Sequence, residues 1–449
     1  MSTALLTDHY ELTMVDAAVR DGTAHRPCVF ETFARSLPDG RRYGVVAGLG
    51  RLLDALEEFC FDDETLGYLD DHDVVRPETL RALARLEFTG RIHAYPEGEL
   101  YFPDSPVLTV EAPFVEAAVL ETLALSVLNY DSAVASAASR MVLAARGRHL
   151  LEFGGRRTHE QAAVAAARAA YLVGFSGTSN LEAGHRHGVP TLGTSAHSFT
   201  LLHDDEASAF ESQVAALGKS TTLLVDTYDI PDGLANALAA AGTDLGGVRI
   251  DSGDLAEEAR RARRYLDEHG ATDTRIVLSG SLDEFQLMAL RDAPADSYGV
   301  GTKLVTGSGA PTAEFVYKLV ARAVEPDAPL EPVAKSGGEK ATVGGRKAAW
   351  RRRRDGVADA EILRPWEADA PDGDVRPLQV DLIRDGEVVH RPSLDDIRAH
   401  HRSAIAELAP EALDVEPGEP AFPVLDEDLP DEARPTDPPA TSESQEVLT

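Results

Sequence analysis

Cysteine is scarce: only Cys28 and Cys60 occur in 449 residues, in no CxxC pair and beside no histidine pair. That excludes a disulfide framework and a structural zinc site, and makes a reducing cytoplasm the expected location. Basic charge is also short, with 43 lysines and arginines against 76 acids and a net charge of −33. So acidic a chain lacks the cationic surface that nucleic acid or an anionic membrane needs, so neither is expected as a partner. A small anionic substrate is still compatible, because a local group of arginines and backbone N–H groups dominates at short range. Long apolar runs are missing: even residues 117–128 are too short to span a bilayer. The N-terminus has no basic leader and reaches an acid at Asp8, so no secretory signal is expected. There is no GxxxxGK[ST] phosphate loop, no GxSxG nucleophile elbow, and no internal repeat.

What is present is a hydrophobic content of 43%, enough for a sizeable core, in a length that suits two domains. Apolar residues three and four apart predict helices over residues 8–21, 48–59 and 116–145. Residues 90–114 alternate in short runs broken by Pro96, Gly98, Pro103 and Pro106, and predict strands. From about residue 147 a cycle sets in: a short β-branched run, a polar or glycine end, then a helix. Residues 221–225 end at Asp226; 248–250 end at Asp251-Ser252-Gly253-Asp254; 275–278 end at Ser279-Gly280-Ser281; 298–300 end at Gly301-Thr302. Continuous apolar strands alternating with helices predict a parallel sheet whose strand ends carry the chemistry. The expected fold class is α/β: an irregular βα (TIM-like) barrel over residues 116–320, plus an open α/β sandwich domain built from both chain ends. Residues 1–115 would start that second domain and 321–408 complete it. Residues 409–449 are rich in proline and acids, and are read as a disordered tail that can be removed from Pro410.

Several strand-end constellations could carry chemistry. His197, among the small residues Gly193, Thr194, Ser195, Ala196 and Ser198, has an accessible imidazole suited to base, ligand or nucleophile work. Capping of the following helix is the competing reading. Arg249 and Asp251 end a buried strand, where carboxylates can hold ribose hydroxyls or the waters of a Mg²⁺ ion; Asp254 is read as a helix N-cap. Ser279-Gly280-Ser281 and Gly299-Val300-Gly301-Thr302 offer N–H groups to an anion. Phe153, followed by Arg156 and Arg157, combines a stacking ring with bidentate phosphate binders; taken alone, the segment reads rather more readily as a solvated arginine pair before the next helix. His185 and His187 have no third ligand nearby and are read as surface residues.

Taken in order, these motifs resemble the nicotinate phosphoribosyltransferase family. The resemblance rests on Thr7-Asp8-His9-Tyr10-Glu11-Leu12-Thr13-Met14, on residues 30–38 with Arg35, and on 152–157, 193–199, 249–255, 298–306 and Gly345-Arg346-Lys347. It is collinear from about residue 6 to about residue 350. It implies a homodimer with a shared active site, joining nicotinate to phosphoribosyl pyrophosphate with ATP hydrolysis coupled through a phosphohistidine. By position, His197 is that histidine, and Phe153 with the partner's Tyr10 sandwiches the pyridine ring. Arg249 reaches the carboxylate and Arg156 the 5-phosphate. Asp226 and Asp251 face the ribose, the pyrophosphate and its magnesium; Ser279, Gly280, Gly301 and Thr302 cradle phosphate; Arg35 joins the substrate-binding set. The related nicotinamide enzyme is the nearest alternative, but it carries an acid near the amide of its substrate, and residues 174–180 contain none. A barrel acting on another sugar phosphate, or a silent phosphate-binding protein on the same fold, are the remaining alternatives.

Overall fold

The structure, a computed structural model, describes residues 2–325, 327–335 and 342–429. It divides into two compact units: residues 1–130, 312–412 and 417–449 form one, and 131–311 with 413–416 the other. The boundaries expected at 115 and 320 therefore fall at 130 and 311. The first change has a local cause, since the boundary lies inside the continuous helix Glu121–Ala145, which sequence periodicity gives no reason to cut.

The first unit is built from both parts of the chain. Its seven-stranded sheet runs Glu331–Pro332, Phe315–Arg322, Pro27–Ala34, Leu108–Pro113, Arg91–Ala94, Val380–Arg384, Glu387–Val388, and neighbours pair antiparallel. Pro27–Ala34 lies between partners on both sides and is buried from Cys28 onward. Helix His9–Asp21 buries Leu12, Val15 and Ala18, and stops at Gly22, whose φ of +87° suits a residue without a Cβ. The strongly basic residues 347–354 form the strand Lys347–Arg354 in a four-stranded sheet with Val375–Pro377, Val357–Pro365 and Val424–Asp426. Arg351 is fully buried there, 3.2 Å from the Glu361 carboxylate, with its guanidinium 4.9 Å from the Phe422 ring centre. A buried arginine in such a pair is invisible to a count of charges.

That sheet corrects the reading of residues 409–429 as disordered. Val424–Asp426 pairs with Glu361–Leu363, Phe422 packs on buried Phe102 with ring centres 4.1 Å apart, and Ala412, Val415 and Leu429 are buried. Composition averaged over the segment hides these few apolar anchors among prolines and acids. Residues 336–341 and 430–449 lie outside the described residues. A chain ending before Pro410 is thus expected to fold poorly or to melt well below the full chain, since losing Phe422 alone is worth about 3–5 kcal/mol. A chain ending after Leu429 should melt with the parent. Equal melting temperatures for all three chains, by scanning calorimetry, would refute this packing.

The second unit carries the βα alternation. Its six-stranded sheet runs Gly177–Thr178, His149–Glu152, Ser297–Val300, Arg275–Gly280, Gly247–Ile250, Thr222–Leu224, all parallel. Glu152 pairs with Val300, Val300 with Gly280, and Leu278 with Ile250, so the strands end nearly level. Among the described residues the hydrogen-bonded order is open between Gly177–Thr178 and Thr222–Leu224, rather than a closed ring. No helix of the described residues is long and apolar enough to cross a membrane.

Candidate active site

The level strand ends bring together most of the residues singled out from the sequence. Asp226 follows Thr222–Leu224 by two positions, and its side chain is only 1% exposed. Its Oδ2 accepts from the Asp251 backbone N–H at 2.9 Å and from the Ser252 hydroxyl at 2.7 Å, which ties two strand ends together. Its Oδ1 lies 3.2 Å from His197 Nε2. A buried carboxylate needs such partners, because desolvation without them costs several kcal/mol.

His197 opens the helix His197–Leu202, but Ala196 occupies the N-cap. The histidine bonds across to Asp226 instead of capping its own helix, and its side chain keeps 42% exposure. Its bond to the carboxylate is made through Nε2, on the far side of the ring from Nδ1.

Arg249 is fixed on every side of its fork. Nε donates to Ser279 Oγ at 2.7 Å, one Nη to Thr194 Oγ1 at 3.1 Å, and the other to Asp251 Oδ1 at 3.1 Å. Ser279 also donates to Asp251 Oδ1, which closes the ring of contacts. The guanidinium carbon stands 5.4 Å from the centre of the Phe153 ring. That ring in turn lies against Gly299, where an added Cβ would come within 2.5 Å of the ring carbon Cδ2. Glycine at 299 is therefore what lets an aromatic ring lie against the strand. Glu152, fully buried beneath the loop, accepts from the Gly154 N–H and the Thr178 hydroxyl, and burial pushes its carboxyl above the usual range.

Gly301 caps the short helix Thr302–Val305, and Gly280 ends Arg275–Gly280 with a φ of +147°. A cavity of about 690 Å³ opens beside the cluster, sharing Phe153 and Thr194 with it. It extends to His149, Asp273 and Arg275 at the starts of the strands.

Other expectations fall elsewhere. Arg156 and Arg157 are exposed on the loop after Phe153. Tyr10 and Arg35 belong to the first unit: Tyr10 is exposed near the start of its helix, where burial and then Glu121 raise its hydroxyl pKa, and Arg35 is half-buried. Asp254 caps Leu255–Glu268 through the Glu257 N–H, as its spacing suggested. His185 is exposed beside Glu182. Sequence reasoning gave Thr194 and Ser252 no role of their own, and read Gly299 as part of an anion cradle rather than as the seat of the Phe153 ring.

Comparison with known proteins gives a consistent result. Residues 5–129 match the nicotinate phosphoribosyltransferase N-terminal domain, and residues 148–336 match the nicotinate phosphoribosyltransferase family. A nicotinate phosphoribosyltransferase of Mycobacterium tuberculosis is 55% identical over 431 residues, covering 93% of this chain and 94% of its own. One from Bacillus subtilis is 41% identical, covering 78% and 73%. The crystal structure of human nicotinic acid phosphoribosyltransferase superposes with a TM-score of 0.80 at 28% identity, covering 94% of this chain and 97% of that one.

Proposed function

We infer the chemistry of this site from one premise: the chain belongs to the nicotinate phosphoribosyltransferase family. It is an enzyme of that type, joining nicotinate to phosphoribosyl pyrophosphate and yielding nicotinate mononucleotide and pyrophosphate, a step of NAD salvage. We propose further that the parallel sheet is the family's irregular barrel, paired with an α/β sandwich domain, and that the enzyme is a homodimer.

The observation that carries the mechanism is the clamped Arg249 fork above Phe153. A planar guanidinium beside a flat ring suits a flat aromatic acid, with the fork on the carboxylate and the ring stacked on the pyridine. The partner subunit's Tyr10 would cover the other face. Gly280, Gly301 and Thr302 would give N–H groups to the 5-phosphate, with Arg156 closing over it and Arg35 completing the substrate-binding set. The pyridine nitrogen then attacks C1 of the ribose while the C1–O bond to pyrophosphate breaks. Holding the reacting atoms in line supplies much of the acceleration.

Mg²⁺ would neutralise the leaving pyrophosphate. Among the described residues no group of three or more His, Cys, Asp or Glu side chains could hold a metal. A magnesium ion carried by phosphates needs only one or two carboxylates, however. Asp251 fits: its Oδ1 is taken by Arg249 and Ser279, which leaves the second oxygen for the ion or its waters.

His197 would be phosphorylated by ATP. With Nε2 on Asp226, Nδ1 attacks the γ-phosphorus and ADP leaves. Water later hydrolyses the phosphohistidine to release phosphate, so one ATP is spent per turnover.

A matched assay tests this reading: phosphoribosyl pyrophosphate and Mg²⁺ with nicotinate or nicotinamide, with and without ATP, for the parent and His197→Ala. Nicotinate turnover that ATP raises in the parent and not in the variant is the expected outcome. ATP stimulation that survives in the variant would remove His197 from the coupling. Turnover of nicotinamide in preference to nicotinate would overturn the substrate.

A further inference from the structure

Behind the two anion cradles runs a line of buried polar contacts that none of these roles uses. The helix Glu284–Ala289 begins just after Ser281, capped by Asp283, which accepts from the Phe285 and Gln286 N–H groups at 3.0 and 3.1 Å. Asp283 also lies 3.6 Å from Lys303 Nζ, on the short helix Thr302–Val305. Glu284 itself is 3% exposed at its side chain. Its Oε1 accepts from Arg140 Nε at 3.1 Å, and its Oε2 accepts from the Ser308 hydroxyl at 2.6 Å. Arg140, also buried, donates through Nη2 to the Val415 carbonyl at 2.7 Å.

The conformation of Ser308 makes these contacts informative. Gly307, Ser308 and Gly309 are successive residues with φ of +62°, +53° and +94°. Glycine adopts that region freely, whereas serine does so only where its surroundings impose it. Here the group that holds the serine is a buried carboxylate, itself held by a buried arginine. Strain of this kind persists where the fold needs a particular backbone path. The path in question leads back to Gly301–Thr306.

We propose that Glu284 is a positioning residue: with Arg140 it pins the left-handed turn at 307–309, and so sets the Gly301–Thr306 loop against the Ser279–Ser281 loop. The inference rests on the reading of those loops as the phosphate cradle. Val415 supplies the far end of the relay, which gives a segment near the end of the chain a part in holding substrate. The pyridine end, at Phe153 and Arg249, shares none of these bonds. The two ends of the site meet at the Arg249–Ser279 hydrogen bond, which lies outside this relay.

The test is steady-state kinetics on Glu284→Gln and Ser308→Ala in the full chain, with melting temperatures measured alongside. Ser308→Ala removes one hydrogen bond and no charge, so it remains informative if Glu284→Gln folds poorly. The KM for phosphoribosyl pyrophosphate is expected to rise about tenfold, as for small displacements of positioning groups, while the KM for nicotinate stays within twofold. An unchanged phosphoribosyl pyrophosphate KM in Ser308→Ala, with the parent active, overturns the proposal. So does a proportionate rise in both KM values that tracks the melting temperature, since that is a purely structural effect. A parent with no phosphoribosyl pyrophosphate-dependent turnover would instead remove the functional reading, and the proposal with it.

Discussion

Replacing Asp226 with alanine is expected to lower kcat/KM for nicotinate by about a thousandfold, roughly 4 kcal/mol of transition-state stabilisation. Three groups lose their partner at once: the His197 ring, the Asp251 N–H and the Ser252 hydroxyl. Removing the acceptor leaves these donors facing the space it filled, without the carboxylate that organised them. The side chain is 1% exposed, so water cannot readily replace it. Asp226→Asn separates charge from shape: the amide keeps one acceptor, and a loss of about a hundredfold is expected. Kinetics with and without ATP check both variants, with circular dichroism to confirm folding. If Asp226→Ala keeps kcat/KM within tenfold of the parent, the carboxylate does not organise the site.

Arg249→Ala should be of similar size but different in kind, about a thousandfold in kcat/KM for nicotinate, falling largely on nicotinate KM. The variant strips Asp251 of its countercharge as well as removing the substrate contact. Arg249→Lys is the sharper probe. A lysine is a point charge and cannot bridge Ser279, Thr194 and Asp251 together, so a loss of about 30- to 100-fold is expected despite the conserved charge. A lysine variant within threefold of the parent would show that charge alone suffices and that the fork has no special part.

The strand ends were legible because their chemistry is written locally. A β-branched run that stops at aspartate, or at Ser-Gly, says both where the strand ends and what it presents, and Asp226, Asp251 and Ser279 duly lie at adjacent ends. The contacts that organise those residues were less visible. That Arg249 would be shared by Thr194 and Ser279 depends on loops about 55 and 30 residues distant in sequence, whose approach only the sheet order fixes. The strand Lys347–Arg354 and the anchors at Phe422 and Val424–Asp426 were illegible for another reason. Composition reports arginine, proline and acid as surface material, whereas here Arg351 is neutralised by Glu361 and the prolines merely space a few buried side chains.

The sheets of the first unit bear on how the protein can be made. Pro27–Ala34 emerges early in synthesis, yet one of its partners, Phe315–Arg322, comes almost 300 residues later, and Glu361–Leu363 waits for Val424–Asp426. On the ribosome this unit must spend most of translation unfinished, with apolar strand edges exposed. The parallel sheet, complete by Val300, can be assembled first. Folding of the nascent chain should therefore run from the middle outward, with the earliest strands exposed longest to chaperones and to aggregation.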